Sequence, residues 1–209
     1  MSTGVLTVDL GESLKVVDAW LTDYISRPHR DIGRSGAVCP FVEPARRAGV
    51  VDSRVRLVGP SPSPALLVEV VRCSLDEYEL MDAVGDPSPL RSLVVVLPDL
   101  PEDRWSTFDA AHAAVKTESV LRGLMIGQFH PTCTERSARN PEFEVSKSPV
   151  PLLAVRRMAV HDVLFLGERR EWFEEYLSRF GARFRKPDRI DAVLYEAYLA
   201  ACARHRITP

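Results

Sequence analysis

Residues 92–131 read SLVVVLPDLPEDRWSTFDAAHAAVKTESVLRGLMIGQFHP. Two short apolar runs, 92–98 and 124–129, flank a longer stretch rich in alanine and other helix formers, 103–124. The first run is continuous in valine and leucine rather than alternating, the signature of a strand covered on both faces. The middle stretch predicts a helix, and LMIGQF predicts a second strand. A strand, a crossover helix and a strand in that order favour parallel pairing and an α/β layering.

The rest of the chain extends the same pattern. Residues 65–84 place Leu67, Val70, Val71, Tyr78 and Met81 on one helical face. RVRLVG (54–59) alternates charged and apolar residues, as a half-buried strand does. VLTVDL (5–10) has the composition of a short strand, and residues 12–26 repeat Leu14, Val17, Leu21 and Tyr24 at helical spacing. Residues 27–41 carry proline and two glycines and predict a long ordered loop or flap. PFVEPARRAG predicts one or two helical turns ended by Gly49. VPLLAVRRM (150–158) predicts another strand, and VLFLG (163–167) is a third apolar run of strand length. Trp172, Phe173, Tyr176, Leu177 and Phe180 mark an amphipathic helix, and residues 188–206 predict a second closing helix. The strands on either side of 131–149 are placed to pair antiparallel. That connection is too long for a plain linker, and such loops are usually functional or mobile.

The expected fold class is therefore α/β or α+β. One domain, 1–209, holds a mixed β-sheet of about five strands packed against helices. Residues 1–36 form an N-terminal helix and loop, 37–167 the core sheet and helices, and 168–209 a C-terminal helical pair.

Composition excludes several classes. Twenty-seven basic against 29 acidic residues give a net charge of −2, unlike a nucleic-acid binder. No run of about 18 apolar residues is present, and the start lacks a basic and apolar leader. The expected setting is cytoplasmic, with no membrane and no nucleic-acid partner. Cys39, Cys73, Cys133 and Cys202 are scattered without a CxxC pair, which reads as free thiols. GxxxxGK[ST], GxGxxG, HExxH and GxSxG are all missing.

What remains is a set of histidines, cysteines and arginines around loops. His130 stands at a strand exit before Pro131, where rigid scaffolds carry functional side chains. Imidazole there serves as a metal ligand or as an acid–base near neutral pH; the alternative is a ring that only caps the strand. His161 follows an apolar run and precedes Asp162. It is a candidate metal or haem ligand, or else a surface loop residue. Cys133 makes an HxxC pair with His130, weak by itself because structural zinc takes four ligands. Arg156 and Arg157 interrupt a strand and point to opposite faces. A buried one needs an anion, either a substrate carboxylate, a haem propionate or an acidic residue such as Glu118.

VCPFVEPARRAGVVDSRVRLV, SLVVVLP, GQFHP and NPEFEVSKSPVPLLAVRR together resemble, in order and spacing, a bacterial family of unknown function. The likeness covers roughly residues 37–157 and rests on Cys39, Pro40, Phe41, Phe129, His130, Pro131, Asn140, Ser148, Pro149 and Pro151. A second resemblance is to the haem-dependent guanidine N-hydroxylases, through CPFVEPARRAGVVDSRVRLV and the segment RRMAVHD. It implies a haem-dependent oxygenase, N-oxygenating, acting on a small amino-acid-like substrate in specialised metabolism, with His161 as axial ligand. His130 is its rival for the iron. Arg156 would serve the substrate, and Arg157, Cys39, Phe129 and Asn140 would surround the cofactor. Two alternatives stand beside it. One is an enzyme using His130 without haem, with non-haem iron or no metal; the other is a non-enzymatic accessory or binding protein. The expected partner is a small-molecule substrate, and a homodimer is compatible with everything above.

Overall fold

The computed structural model describes residues 9–84 and 88–209. Most of VLTVDL therefore lies outside the described residues, and its last residue, Leu10, already begins a helix. Helix α1 (Leu10–Trp20) starts where the Asp9 carboxylate accepts the Glu12 N–H at 3.1 Å, a cap that satisfies an otherwise orphan donor. It runs on as a wider turn over Leu21–Ile25. Helix α2 (Val42–Arg47) is the short element ended near Gly49.

Strand β1 (Val51–Val55) leads through helix α3 (Pro64–Val84) to strand β2 (Ser92–Val96). The strands pair in parallel, Val51 opposite Ser92 and Val55 opposite Val96, as the crossover helix requires. The Ser63 hydroxyl accepts the Leu66 N–H at 3.1 Å, and Pro64 is the first helical residue. The PSPSP stretch thus starts α3 as well as breaking the chain. Helix α4 (Trp105–Leu121) leads to strand β3 (Leu124–Phe129). A hairpin follows, β4 (Arg136–Ser137) with β5 (Asn140–Glu144), and strand β6 (Leu152–Arg157) completes the sheet. The order is β1-β2-β6-β3, with β2 and β6 antiparallel, Ser92 opposite Arg156 and Val96 opposite Leu152. The sheet is mixed, as expected. It has four strands, and the long 131–149 connection is a hairpin of its own.

The chain divides into two compact units. One comprises residues up to Val115 with Ile126–Arg156; the other comprises Lys116–Met125 with Arg157–Pro209. In the first, Val94 and Val96 pack with Val17, Leu21, Ile25 and Ile32. Strand alternation leaves Leu93 and Val95 for the other face, where α3 lies against β2. Both faces of the valine-rich strand are covered, which is why it does not alternate. In the second unit, helices α5 (Val163–Leu166), α6 (Arg170–Phe180) and α7 (Ala192–His205) enclose Phe173, Tyr176, Phe184 and Tyr198. The Phe184 and Tyr198 rings stack with centroids 4.2 Å apart. The Tyr176 hydroxyl donates to the Val160 carbonyl at 2.7 Å.

Two expectations change. The strand predicted over 54–59 is shifted to 51–55, because the Asp99 carboxylate takes the Val58 N–H at 3.0 Å and the Gly59 N–H at 2.7 Å and draws the chain away. VLFLG is helical: the buried Asp162 carboxylate accepts the Ala159 N–H at 2.7 Å and sets a turn just before it. Val163 and Leu166, three apart, are the buried pair. Among the described residues no helix is long and apolar enough to cross a membrane.

Candidate functional site

The end of β3 is where the first unit concentrates its chemistry. Successive strand residues point to opposite faces, so Phe129 and His130 part company. Phe129 packs edge-on against Trp20, with ring centroids 5.4 Å apart. From there the aromatic contacts continue through Tyr24 to His29, whose ring stacks on Phe143 at 4.5 Å and 20°. Trp20 and Tyr24 share a helical face, four residues apart, and the Trp20 indole N–H donates to the Lys147 carbonyl at 3.1 Å. Trp20, Tyr24, His29 and Phe143 line a groove of about 900 Å³, whose wall also includes Pro131, Ser148 and Pro149, with Phe129 packed behind Trp20.

Charge sits at the groove rim. Glu144 pairs with Lys147 at 2.7 Å and with Arg136 at 3.5 Å. The Lys147 ammonium, and then Arg136, hold the Glu144 carboxyl below its usual range. The loop carrying His29 is bound to the hairpin: the Asn140 amide donates to the Asp31 carbonyl at 2.7 Å, and the Ser137 hydroxyl to the Ile32 carbonyl at 3.0 Å. Gly33 has φ of +82°, and a Cβ there would lie 2.6 Å from the Arg139 carbonyl oxygen. Only glycine permits that approach. His29 Nδ1 accepts the Asp31 N–H at 3.2 Å, and the Asp31 carboxylate lies 3.9 Å from the same nitrogen.

His130 turns the other way, toward α4. It is 2% exposed. Its Nε2 lies 3.1 Å from Asp109 Oδ1, its Nδ1 3.4 Å from the Thr132 hydroxyl, and the Trp105 ring 5.4 Å away. The Cys133 N–H donates to the His130 carbonyl at 3.1 Å. Pro131, with its fixed φ, suits the second position of this four-residue turn. The turn returns the Cys133 side chain beside the imidazole. Burial pushes the Cys133 thiol up to about 11, so at neutral pH it is not an activated nucleophile.

The residues singled out from sequence are distributed unevenly. Phe129, His130, Cys39 and Asn140 all lie around this strand end and its neighbouring loops. Cys39 packs partly buried in the same apolar cluster as Phe129 and Phe143. The Arg156 guanidinium lies over the Phe41 ring at 4.8 Å, while the Glu118 carboxylate pairs with Arg122. Arg157 and His161 are exposed and belong to the second unit. Asp109, Trp105, Trp20, His29 and Phe143 were not singled out from sequence as site residues, and Tyr24 was read only as part of a helical face. The i, i+4 spacing of Trp20 and Tyr24 is the one signal that could have joined two of them.

No curated protein and no solved structure matches the chain. A family described as a domain of unknown function (DUF6875) matches residues 14–191. That span runs from the second turn of α1 to the last residue before α7 and takes in both faces of the β3 strand end, so the chain belongs to the DUF6875 family.

Proposed function

We propose that this protein is a haem-dependent oxidative enzyme that acts on a small, amino-acid-like molecule, with the aromatic groove as the cofactor site. The observation that carries this reading is a histidine stacked on Phe143 inside a groove of about 900 Å³ walled by aromatic rings and rimmed by two cations. A planar apolar macrocycle fits such walls, and Arg136 and Lys147, which here pair with Glu144, would exchange that carboxylate for its two. His29 is the histidine that lines this groove; His130 and His161 are not among its lining residues. His29 Nδ1 accepts the Asp31 N–H at 3.2 Å, so ligation through Nε2 would require that contact to open and the proton to move to Nδ1, whose nearest carboxylate is Asp31 at 3.9 Å.

When bound, haem supplies an iron that activates dioxygen or peroxide. The chain's own residues do the rest. His29 would hold the group, the Trp20 and Tyr24 rings would exclude water from the groove, and Lys147 and Arg136 would meet its carboxylates. Glu142, on the groove wall, offers a carboxylate to a cationic substrate group. The four cysteines stand as thiols, which supports the cytoplasmic setting.

The test is the ultraviolet–visible spectrum of the purified protein after adding haem. A Soret band that shifts or is lost in His29→Ala is expected. No Soret band in the wild type refutes the reading. A band unchanged in His29→Ala but lost in His130→Ala or His161→Ala moves the ligand elsewhere.

A further inference from the structure

We propose that Asp109, His130 and Cys133 form a divalent transition-metal site, best suited to Zn²⁺ and separate from the aromatic groove. One carboxylate oxygen, one imidazole nitrogen and one sulfur lie within 4.8 Å of one another. Tetrahedral ligands on zinc are about 3.4–3.8 Å apart, given bond lengths of about 2.0–2.3 Å. Closing onto an ion therefore takes side-chain shifts of about 1 Å or less. Nε2 of His130 and Oδ1 of Asp109 already stand 3.1 Å apart, facing each other.

The chain builds these positions from two directions. Asp109 comes from the second turn of α4, and His130 and Cys133 from the two ends of one tight turn. The donor set is mixed, with a soft thiolate, a borderline imidazole and a hard carboxylate. That combination selects zinc, or cobalt in its place, over magnesium or calcium. The Thr132 hydroxyl, 3.4 Å from Nδ1, is placed to accept the Nδ1–H and to leave the Nε2 lone pair for the ion. Three protein ligands leave one position for water or a further ligand. The Asp109 side chain, 37% exposed, gives the ion a path in from solvent.

Two rival roles fit these atoms less well. A Cys–His–Asp hydrolytic triad needs the imidazole between thiol and carboxylate and an accessible sulfur. Here Nε2 faces the carboxylate, and Cys133 is 1% exposed. A plain His–Asp clamp needs no sulfur, yet the turn brings one to the same place. Binding is a proton exchange: M²⁺ displaces one proton from the thiol and takes the imidazole lone pair, so one or two protons leave for each ion bound.

Chelator-treated full-length protein titrated with Co²⁺ alone gives the test. One equivalent is expected to produce the near-ultraviolet thiolate-to-cobalt band and the visible bands of a tetrahedral ion, and Zn²⁺ is expected to bleach both. Cys133→Ser is expected to abolish the near-ultraviolet band. Asp109→Asn, at a partly exposed helix position that keeps the fold, is expected to weaken Co²⁺ at least tenfold. No band in the wild type overturns the proposal, as does a band undiminished in Cys133→Ser or equal affinity in Asp109→Asn. None of these signals overlaps the Soret band, so the metal site and the haem reading succeed or fail separately.

Discussion

The loop that carries His29 rests on one glycine, and its replacement isolates a single close approach. Gly33→Ala adds a methyl group at φ +82°, 2.6 Å from the Arg139 carbonyl oxygen and 2.8 Å from its carbon. Both are backbone atoms, so no side chain can swing aside. The left-handed conformation costs an alanine about 1–2 kcal/mol. Relieving the clash means separating the loop from the hairpin. That loosens the Ser137–Ile32 and Asn140–Asp31 hydrogen bonds, each worth about 1 kcal/mol. The sum is about 3 kcal/mol. Gly59→Ala is the control. Its φ is +79°, but nothing lies within 4 Å of the added carbon, so only the backbone term of about 1–2 kcal/mol remains. Urea denaturation followed by circular dichroism measures both. Thermal melts are expected to fall by roughly 6–12 °C for Gly33→Ala, at about 2–4 °C per kcal/mol for a chain of this size. Equal losses in the two variants refute the close-approach argument.

Asp99→Ala strands the Val58 and Gly59 N–H groups that its carboxylate accepts and is expected to cost about 2–3 kcal/mol in chemical denaturation, with Asp99→Asn losing less. Phe173→Ala, at a fully buried ring in the second unit, is expected to cost about 3–5 kcal/mol by the same measurement. Burial, and then the Cys202 contact, push the Tyr198 hydroxyl from 10.0 up to about 12. Its neutral form is the one that folds, so its contribution is complete below pH 10 and is lost as pH rises toward 12. Urea midpoints across that window are expected to fall, less steeply in Tyr198→Phe.

The sheet was legible because its central strand carries its own signature. Five consecutive apolar residues, 93–97, need cover on both faces, and α1 and α3 supply it. The shifted first strand was not legible, because Asp99 lies 40 residues beyond Gly59 and no local pattern announces that its carboxylate will capture two N–H groups. VLFLG misled for a simpler reason: four apolar residues fit a buried strand or one buried helical turn equally well. At the candidate site, His130 and its HxxC spacing were visible. Asp109 was not, since a lone aspartate on an Ala-rich helix looks like any solvated residue until α4 packs beside β3. His29 was hidden in the same way, its neighbours Phe143 and Tyr24 being set by the loop-to-hairpin contact.

The His130–Pro131 step explains why the stretches around it belong together. Pro131 lacks an N–H, so the strand's hydrogen-bond ladder stops there. Its ring faces the groove, and its fixed φ starts the turn. The His130 carbonyl then accepts two donors, the Cys133 N–H at 3.1 Å and the Ser148 N–H at 3.3 Å. The first closes the turn that brings sulfur beside imidazole. The second ties the SPVP return to the strand end, and the Ser148 hydroxyl holds that return by donating to the Val150 carbonyl at 2.7 Å. One peptide carbonyl thus fixes both the groove wall and the buried cluster. FHP and SPVP, distant in sequence, are two halves of a single joint, with Phe129 packed against Trp20 behind the groove and His130 turned to Asp109.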